Sequence, residues 1–310
     1  MRLGSDPEGF FLTRAGRVRS AHRVFPDVGK HDGHLIGAGG RISRDGAVFE
    51  LNPMASHCRE TAYYYIAQLL RRARTAGRRY GYKIVLVPAI KLSPKELKAL
   101  PEDARYFGCE ASLNAYSGEA TQIDIDDPAT HPYRYAGGHM HISFADSSND
   151  QVSNDKLVKL WDLFLGVPLT YLFDSPETFL RRRYYGQAGD YRPQKYNDQY
   201  GLEYRVPGPE LFANSVSFSL AFGVLRACVS DKPKLCPHLK GVDSARVQGA
   251  INLGQNIPSL LEHIDSIGCM APWYTSRILA DLKKWLRTHH KNNPAWFGIE
   301  SWARQKAREK

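Results

Sequence analysis

Carboxylates set inside strand-like apolar runs are the tightest constraint in this sequence. Glu50 lies in Val48-Phe49-Glu50-Leu51 and Glu203 in Gly201-Leu202-Glu203-Tyr204, with apolar or aromatic neighbours on both sides. Burying a carboxylate is costly unless a cation, a metal ion or several donors share its charge. A chain that folds these runs as strands must therefore bring such partners to them. A third case opens the chain, where Asp6-Pro7-Glu8 precedes Gly9-Phe10-Phe11-Leu12. Residues two apart in an extended segment share a face, so Asp6 and Glu8 point the same way, a spacing that suits a hard divalent cation with oxygen ligands. From that segment alone, an exposed edge with two solvated acids accounts for the pattern equally well.

Candidate partners occur in two other segments. Gly137-Gly138-His139-Met140-His141-Ile142-Ser143 predicts a strand with both imidazoles on one face. Such pairs occur in zinc and iron sites and also in ordinary packed sheets, and the glycine pair permits close approach of a ligand to the backbone. Glu203 and Arg205 are likewise co-facial, and residues 181–192 before them are dense in Arg, Tyr and Gly. Guanidinium groups grip phosphate oxygens in bidentate fashion, and interleaving them with metal-holding carboxylates is what a nucleoside triphosphate and its magnesium ions require. A surface salt-bridge cluster is the competing account, plausible for Arg181 and Arg182 and less so for Arg205 within a strand. The chain has no GxxxxGK[ST] loop, no GxSxG elbow and no GxGxxG opening a helix, so P-loop, hydrolase and Rossmann readings lack a motif.

Periodicity fills in the rest. A hairpin is expected over residues 9–22 around Ala15-Gly16, then a glycine-rich stretch over 29–46 and a strand over 47–52 stopped by Pro53. Helical spacing covers about 57 to 79, a buried strand 83–89, and a Ser-Pro helix start 93–100. After the strand at 138–144, Leu157, Leu160, Trp161, Phe164 and Leu165 define a helix that Pro168 kinks or ends. Residues 181–200 show no period and read as a functional loop, followed by a strand over 202–206. Helices are expected over 211–229, 246–261 and 274–286, the last with Ile278, Leu279, Leu282, Trp285 and Leu286 on one face. Strands separated by helices without repeated βαβ units predict an α+β fold, with a catalytic core over 1–229 and a helical region with a basic tail over 230–310.

Charge is less informative than its total implies. The formal +10 would suit a nucleic acid or another polyanion, but residues 283–310 alone carry 8 Lys or Arg against 2 Glu. A solvated tail is the simpler account, and nucleic acid is not the favoured partner. Cys58, Cys109, Cys228, Cys236 and Cys269 are widely spaced without a CxxC pair, so reduced thiols are expected rather than a zinc cluster or disulfides. No apolar run approaches the roughly 20 residues of a membrane span and no signal peptide is evident, which predicts a cytoplasmic protein with no membrane partner. Nothing in the sequence sets an oligomeric state.

Taken in order, residues 4–12 (Gly-Ser-Asp-Pro-Glu-Gly-Phe-Phe-Leu), Phe49 to Pro53, Gly137 to Ser143 and Gly201 to Gly208 resemble the phage-type carboxylate-amine ligases (amidoligases) of the glutamine synthetase superfamily. The resemblance is spread over about residues 4 to 225. It implies a glutamine synthetase-like curved antiparallel sheet with helices on its outer face, and an enzyme that uses ATP and two or more Mg2+ ions, with Mn2+ as a substitute, to join a carboxylate to an amine through an acyl phosphate. The carboxylate and the amine would come from small molecules or peptides, and a phage-encoded enzyme would act in the host cytoplasm. It further implies metal ligation by Asp6, Glu8, Glu50, His139 and Glu203, with Asp standing at position 6 where the superfamily has Glu. Arg183, Arg192, Arg205 and His141 would contact nucleotide or phosphate, and Glu8, Glu50, Glu203, Arg192 and Arg205 would carry the chemistry. Gly108-Cys109-Glu110, Asn114-Ala115-Tyr116 and the loop from Arg183 to Arg192 are further points of likeness implying substrate or nucleotide contact, with Glu110 or Asp190 as candidate base. The competing functions are a guanidino-kinase-like phosphotransferase of the same superfamily and an inactive basic nucleic-acid-binding or virion-associated protein.

Overall fold

The structure is a computed structural model and describes residues 1–28, 34–35, 39–107, 111–121, 124–144, 150–196, 199–267 and 275–290. Its strands in chain order are β1 (Arg2–Leu12), β2 (Val18–Arg19), β3 (His34–Leu35), β4 (Gly40–Asp45), β5 (Val48–Pro53), β6 (Lys83–Val85), β7 (Ala89–Lys91), β8 (Ser112–Asn114), β9 (Ala120–Thr121), β10 (Tyr133–Tyr135), β11 (Gly138–Ser143), β12 (Asp190–Tyr196) and β13 (Gln199–Tyr204). Nine of them run β3-β4-β5-β1-β11-β13-β12-β8-β9 across one sheet, with β2 and β6 pairing the far end of β1, while β7 and β10 pair separately. Every pairing is antiparallel.

The helices are α1 (Arg59–Arg79), α2 (Pro94–Lys98), α3 (Gln151–Trp161), α4 (Val167–Leu172), α5 (Pro176–Arg182), α6 (Ser215–Ser230), α7 (Lys232–Leu235), α8 (Ser244–Leu253), α9 (Ile257–Ile267) and α10 (Ser276–His290). The expected α+β class is therefore found. No helix of the described residues is long and apolar enough to cross a membrane. Cys58, Cys228 and Cys236 are free thiols.

The alternation of the strands divides the sheet. Phe11, Phe49, Leu51, Met140, Ile142, Tyr191, Leu202 and Tyr204 join one apolar cluster with Ile66, Leu70, Trp161, Phe164, Phe218 and Leu225 from the helices. Burial on that scale drives the packing. Val247, Ile251, Leu279 and Leu286 belong to the same cluster, so the C-terminal helices share the core of the sheet. The residues between, Glu50, His139, His141, Glu203 and Arg192, face away from the helices. Register enforces this, because a slip by one residue would turn the carboxylates into the apolar core.

Several sequence expectations change. The glycine-rich stretch contains the paired strands β3 and β4, and the apparent loop over 181–200 contains β12, six of whose residues pair with β13. The Arg- and Tyr-rich composition hid the period, because half-buried Arg192, Pro193 and Gln194 follow buried Tyr191 without a polar-apolar alternation. Pro168 neither ends nor merely bends its helix. Asp162–Gly166 form a wide turn in which Val167 N–H donates to Asp162 O, a shift by one residue that removes the need for the missing proline N–H, and the helix continues to Leu172. The helix expected over 246–261 is two, broken at Gly254, whose φ of 73° caps α8 in the left-handed conformation. Ile278 is 40% exposed, whereas Leu279 and Leu286 of the same helix are buried.

Trp161 is fully buried with its ring 5.5 Å from that of Tyr204. Trp161→Ala is expected to lower the unfolding free energy by about 3–5 kcal/mol, and Ile278→Ala to change it by no more than about 0.5 kcal/mol, as urea titration of each variant would measure.

Candidate active site

Six adjacent strands supply one row of polar residues. Antiparallel register sets Ser43 opposite Glu50, Glu50 opposite Glu8, Asp6 opposite His139, His141 opposite Glu203, and Glu203 opposite Arg192. Opposed residues share a face at about 5 Å between Cβ atoms. The sheet thus collects residues more than 190 positions apart on one surface, as the count from Asp6 to Glu203 shows.

Two clusters result. In the first, His139 Nδ1 lies 2.9 Å from Asp6 Oδ2 and 3.2 Å from Glu203 Oε1, and the His139 N–H donates to Asp6 Oδ1 at 3.0 Å. His141 Nε2 is 3.2 Å from Asp6 Oδ2. Glu203 is further held by Arg205 Nε at 3.2 Å, Arg192 Nη1 at 3.4 Å and Gln194 Nε2 at 2.8 Å. In the second, Glu8, Asp45 and Glu50 bring carboxylate oxygens within 4.8 Å of one another. Its visible donors are the Gly137 N–H to Glu8 at 2.5 Å and Ser43 Oγ to Glu50 at 3.5 Å.

The electrostatics of the clusters differ. Burial pushes the Asp6 carboxyl up, but the His139 and His141 imidazoles outweigh it and hold Asp6 well below the usual range. Glu203 is lowered in the same way, burial being overcome by His139 and His141. Glu8 is raised well above the ordinary value by burial and by Asp45, Glu50 and Asp6. Burial lowers His139, against the pull of the Asp6 and Glu203 carboxylates. His141 is raised because Asp6, Glu203 and Glu50 overcome its burial. Each cluster offers ligand atoms within 4.8 Å of one another, Asp6, His139 and Glu203 in one and Glu8, Asp45 and Glu50 in the other. Carboxylate oxygens with at most one imidazole suit Mg2+ or Mn2+ better than a thiolate-preferring metal.

Of the residues picked out from sequence, Asp6, Glu8, Glu50, His139, His141, Glu203, Arg192 and Arg205 are brought together. Arg183 is not: it is exposed at the end of α5, and no hydrogen bond or ion pair joins its side chain to the cluster. Arg181 and Arg182, read as a surface salt-bridge cluster, are instead 1% and 3% exposed. Arg181 donates to the carbonyls of Arg205 and Val206 at 3.1 Å each, and Arg182 to Thr170 Oγ1 at 2.6 Å. Asp190 is buried and its carboxylate accepts from Asn114 Nδ2, Thr121 Oγ1 and the Gln187 N–H, which ties β12 to β8. Glu110 lies outside the described residues, as do Gly108, Cys109 and the tail beyond 290. The glycine pair admits protein rather than a ligand: a Cβ on Gly137 would meet His139 and Tyr185, and one on Gly138 the Gly208 carbonyl.

Asp45 and Tyr185 escaped the sequence reading. Asp45 ends β4 at an Asp-Gly turn, and its pairing with Val48 puts it on the face of Glu50; the Asp-Gly hairpin signal was there to be used. The Tyr185 hydroxyl meets His139 Nε2, and its ring lies under two guanidinium groups, Arg181 at 4.5 Å and Arg205 at 5.1 Å. Nothing in the local pattern marks it.

Residues 128–240 match the model of the family described as phage phiEco32-like COOH.NH2 ligase-type 2. That span includes His139, His141, Arg192, Glu203 and Arg205 and bears out the resemblance read from the motifs. No curated protein matches the chain. Among solved structures, GmaS without ligand aligns with 99% of this chain and 69% of its own at 11% identity and a TM-score of 0.48. A GmaS complex with ADP aligns with 99% and 70%, at 10% identity and a TM-score of 0.45.

The raised carboxyl of Glu8 has a definite pH signature. Its folded value lies above its unfolded value of about 4.3, so in chelator-treated protein its contribution to stability is present at low pH and is lost as pH rises from about 4 through the folded value. Glu8→Gln is therefore expected to be the more stable protein at neutral pH, with the difference vanishing towards pH 4. Melting curves across that range check it, and a wild type that stays the more stable at neutral pH would contradict it.

Proposed function

We propose that this chain is an ATP- and Mg2+-dependent carboxylate-amine ligase that activates a carboxylate as its acyl phosphate and passes the acyl group to an amine. The observation that carries the reading is the pair of clusters on one sheet face, Asp6, His139 and Glu203 beside Glu8, Asp45 and Glu50, with Arg192 and Arg205 against Glu203. The family match over 128–240 supports it.

In this reading Asp6, His139 and Glu203 hold one ion and Glu8, Glu50 and Asp45 another. The magnesium nucleotide, when bound, supplies the transferable phosphoryl group. The protein supplies position and charge, since both steps call for charge neutralisation rather than a nucleophilic side chain. Arg205 is suited to this: it is 2% exposed, its Nη1 donates to Ser112 Oγ at 2.9 Å, and its guanidinium is stacked on Tyr185, so little reorganisation is required of it. Arg192, with its side chain 24% exposed, would meet phosphate oxygens from the open side, and His141 would reach nucleotide or substrate. Tyr185 can accept from His139 as well as donate to it, so the ring nitrogen facing Asp6 and Glu203 can give up its hydrogen to become a ligand. The substrates are a carboxylate and an amine of small-molecule or peptide class. Residues 1–229 would form the catalytic core, and the described helices beyond it share its apolar cluster.

The test is ATP turnover with a carboxylate and an amine present. Substrate-dependent ADP release and a product of amide mass are expected from the wild type, with rates at least about 100-fold lower in Glu8→Gln and Glu203→Gln. Equal turnover in those variants would sink the metal-site reading. A phosphorylated product without an amide would mark a phosphotransferase instead.

A further inference from the structure

The hairpin of β1 and β2 exposes a second charged feature, opposite in sign to the carboxylate clusters. Alternation directs Val18 into an apolar cluster with Phe10, Leu12, Val48 and Leu100, and so turns Arg17 and Arg19 outwards. Together with Arg23 and Lys95 they line a cleft of about 500 Å³, within the size range of small-molecule sites.

Positive charge is in excess in this cleft, where Arg17, Arg19, Arg23 and Lys95 stand against one carboxylate of the wall, Glu96. Among the described residues, none of these four side chains makes an ion pair, and Arg19 reaches only the carbonyl of Val18. The one carboxylate in the wall, Glu96, is already committed. It caps α2 by accepting from the Ser93 N–H at 2.8 Å and Ser93 Oγ at 2.6 Å, and it takes the Val18 N–H at 2.7 Å. Nearby Asp103 is paired with His22 at 2.7 Å. Four guanidinium and ammonium groups converging on a single carboxylate still repel one another, and an anion with several charges removes that repulsion while meeting their donors.

The shape narrows the ligand. Apolar wall comes from Val18, Ala99, Leu100 and Pro101, and among the described residues no aromatic side chain lines the cleft, so these residues offer no platform for stacked bases. It is also separate from the carboxylate clusters. Leu12, the partner of Val18, is four residues beyond Glu8, roughly 13 Å along the strand, and the apolar cluster lies between. We infer that this cleft is a second ligand site, for a compact polyanion of small-molecule size, a polyphosphate or a polycarboxylate, held by Arg17, Arg19, Arg23 and Lys95.

Calorimetry of the full chain, stripped of metal beforehand and dialysed into chelator-free, metal-free buffer, with inorganic tripolyphosphate and with citrate as separate probes, tests this. Saturable binding of one equivalent is expected for at least one probe, and the tighter of the two identifies the phosphate or carboxylate source. Arg17→Gln/Arg19→Gln is expected to weaken it by about tenfold or more, whereas Arg71→Gln/Arg78→Gln, which removes the same charge from the exposed face of α1, leaves it unchanged. Melting curves establish that each variant is folded, and the single Lys95→Gln serves if the cleft double variant is not. Absence of saturable binding, or equal weakening by the α1 variant, would overturn the inference. So would duplex DNA binding with the same dependence on Arg17 and Arg19 and stronger than either small anion.

Discussion

Glu8 facing Glu50 across β1 and β5 is the interaction on which the site turns. Directly opposed like charges in a sheet repel, and Asp45 adds a third. One register step away, Asp6 faces His139 and the sign reverses. The same face therefore carries a repulsive cluster beside one in which imidazole and guanidinium groups share the charge. The strength that holds both comes from the opposite face. Phe49, Leu51, Met140, Ile142 and Leu202 are fully buried against the helices, and they keep the carboxylates in register because any slip would expose them and bury the acids.

Buried cations are handled by another device. Arg134, Arg181 and Arg182 are nearly inaccessible, and their donors go largely to carbonyl oxygens: Arg134 to those of His131, Tyr133 and Arg105, Arg181 to those of Arg205 and Val206, Arg182 to that of Ile251. A carbonyl satisfies an N–H without cancelling the charge. Burial then lowers Arg134 and Arg182 to about 10 each, still cationic at neutral pH. These arginines act as braces. Arg181 grips the backbone at Arg205 from one side of the Tyr185 ring while the Arg205 side chain covers the same ring, so α5 sets the position of a residue at the end of β13.

Legibility followed the range of the physics involved. The strands around Glu50, His139 and Glu203 could be read because alternation is a local property, and their carboxylates stood out because an acid between apolar residues is unusual. The β12 strand could not be read: its half-buried run of Arg192, Pro193 and Gln194 lacks the alternation of a strand with one face on the core. The break at Gly254 was visible as a glycine but not as a stop, since only its positive φ distinguishes a cap from a tolerated helical glycine. Arg181 and Arg182 were misplaced because charge normally marks surface, and only the carbonyls that receive them reveal otherwise.

The sequence by itself determined which side chains could share a strand face: Asp6 with Glu8, His139 with His141, Glu203 with Arg205, each pair two residues apart. Tertiary structure decided which of these pairs meet, that Asp45 joins Glu8 and Glu50, that Tyr185 reaches His139, that Arg183 stays outside, and that Asp190 ties two strands. The reason is that co-facial spacing follows from the backbone of one strand, whereas register between strands is set by the packing of the whole apolar face.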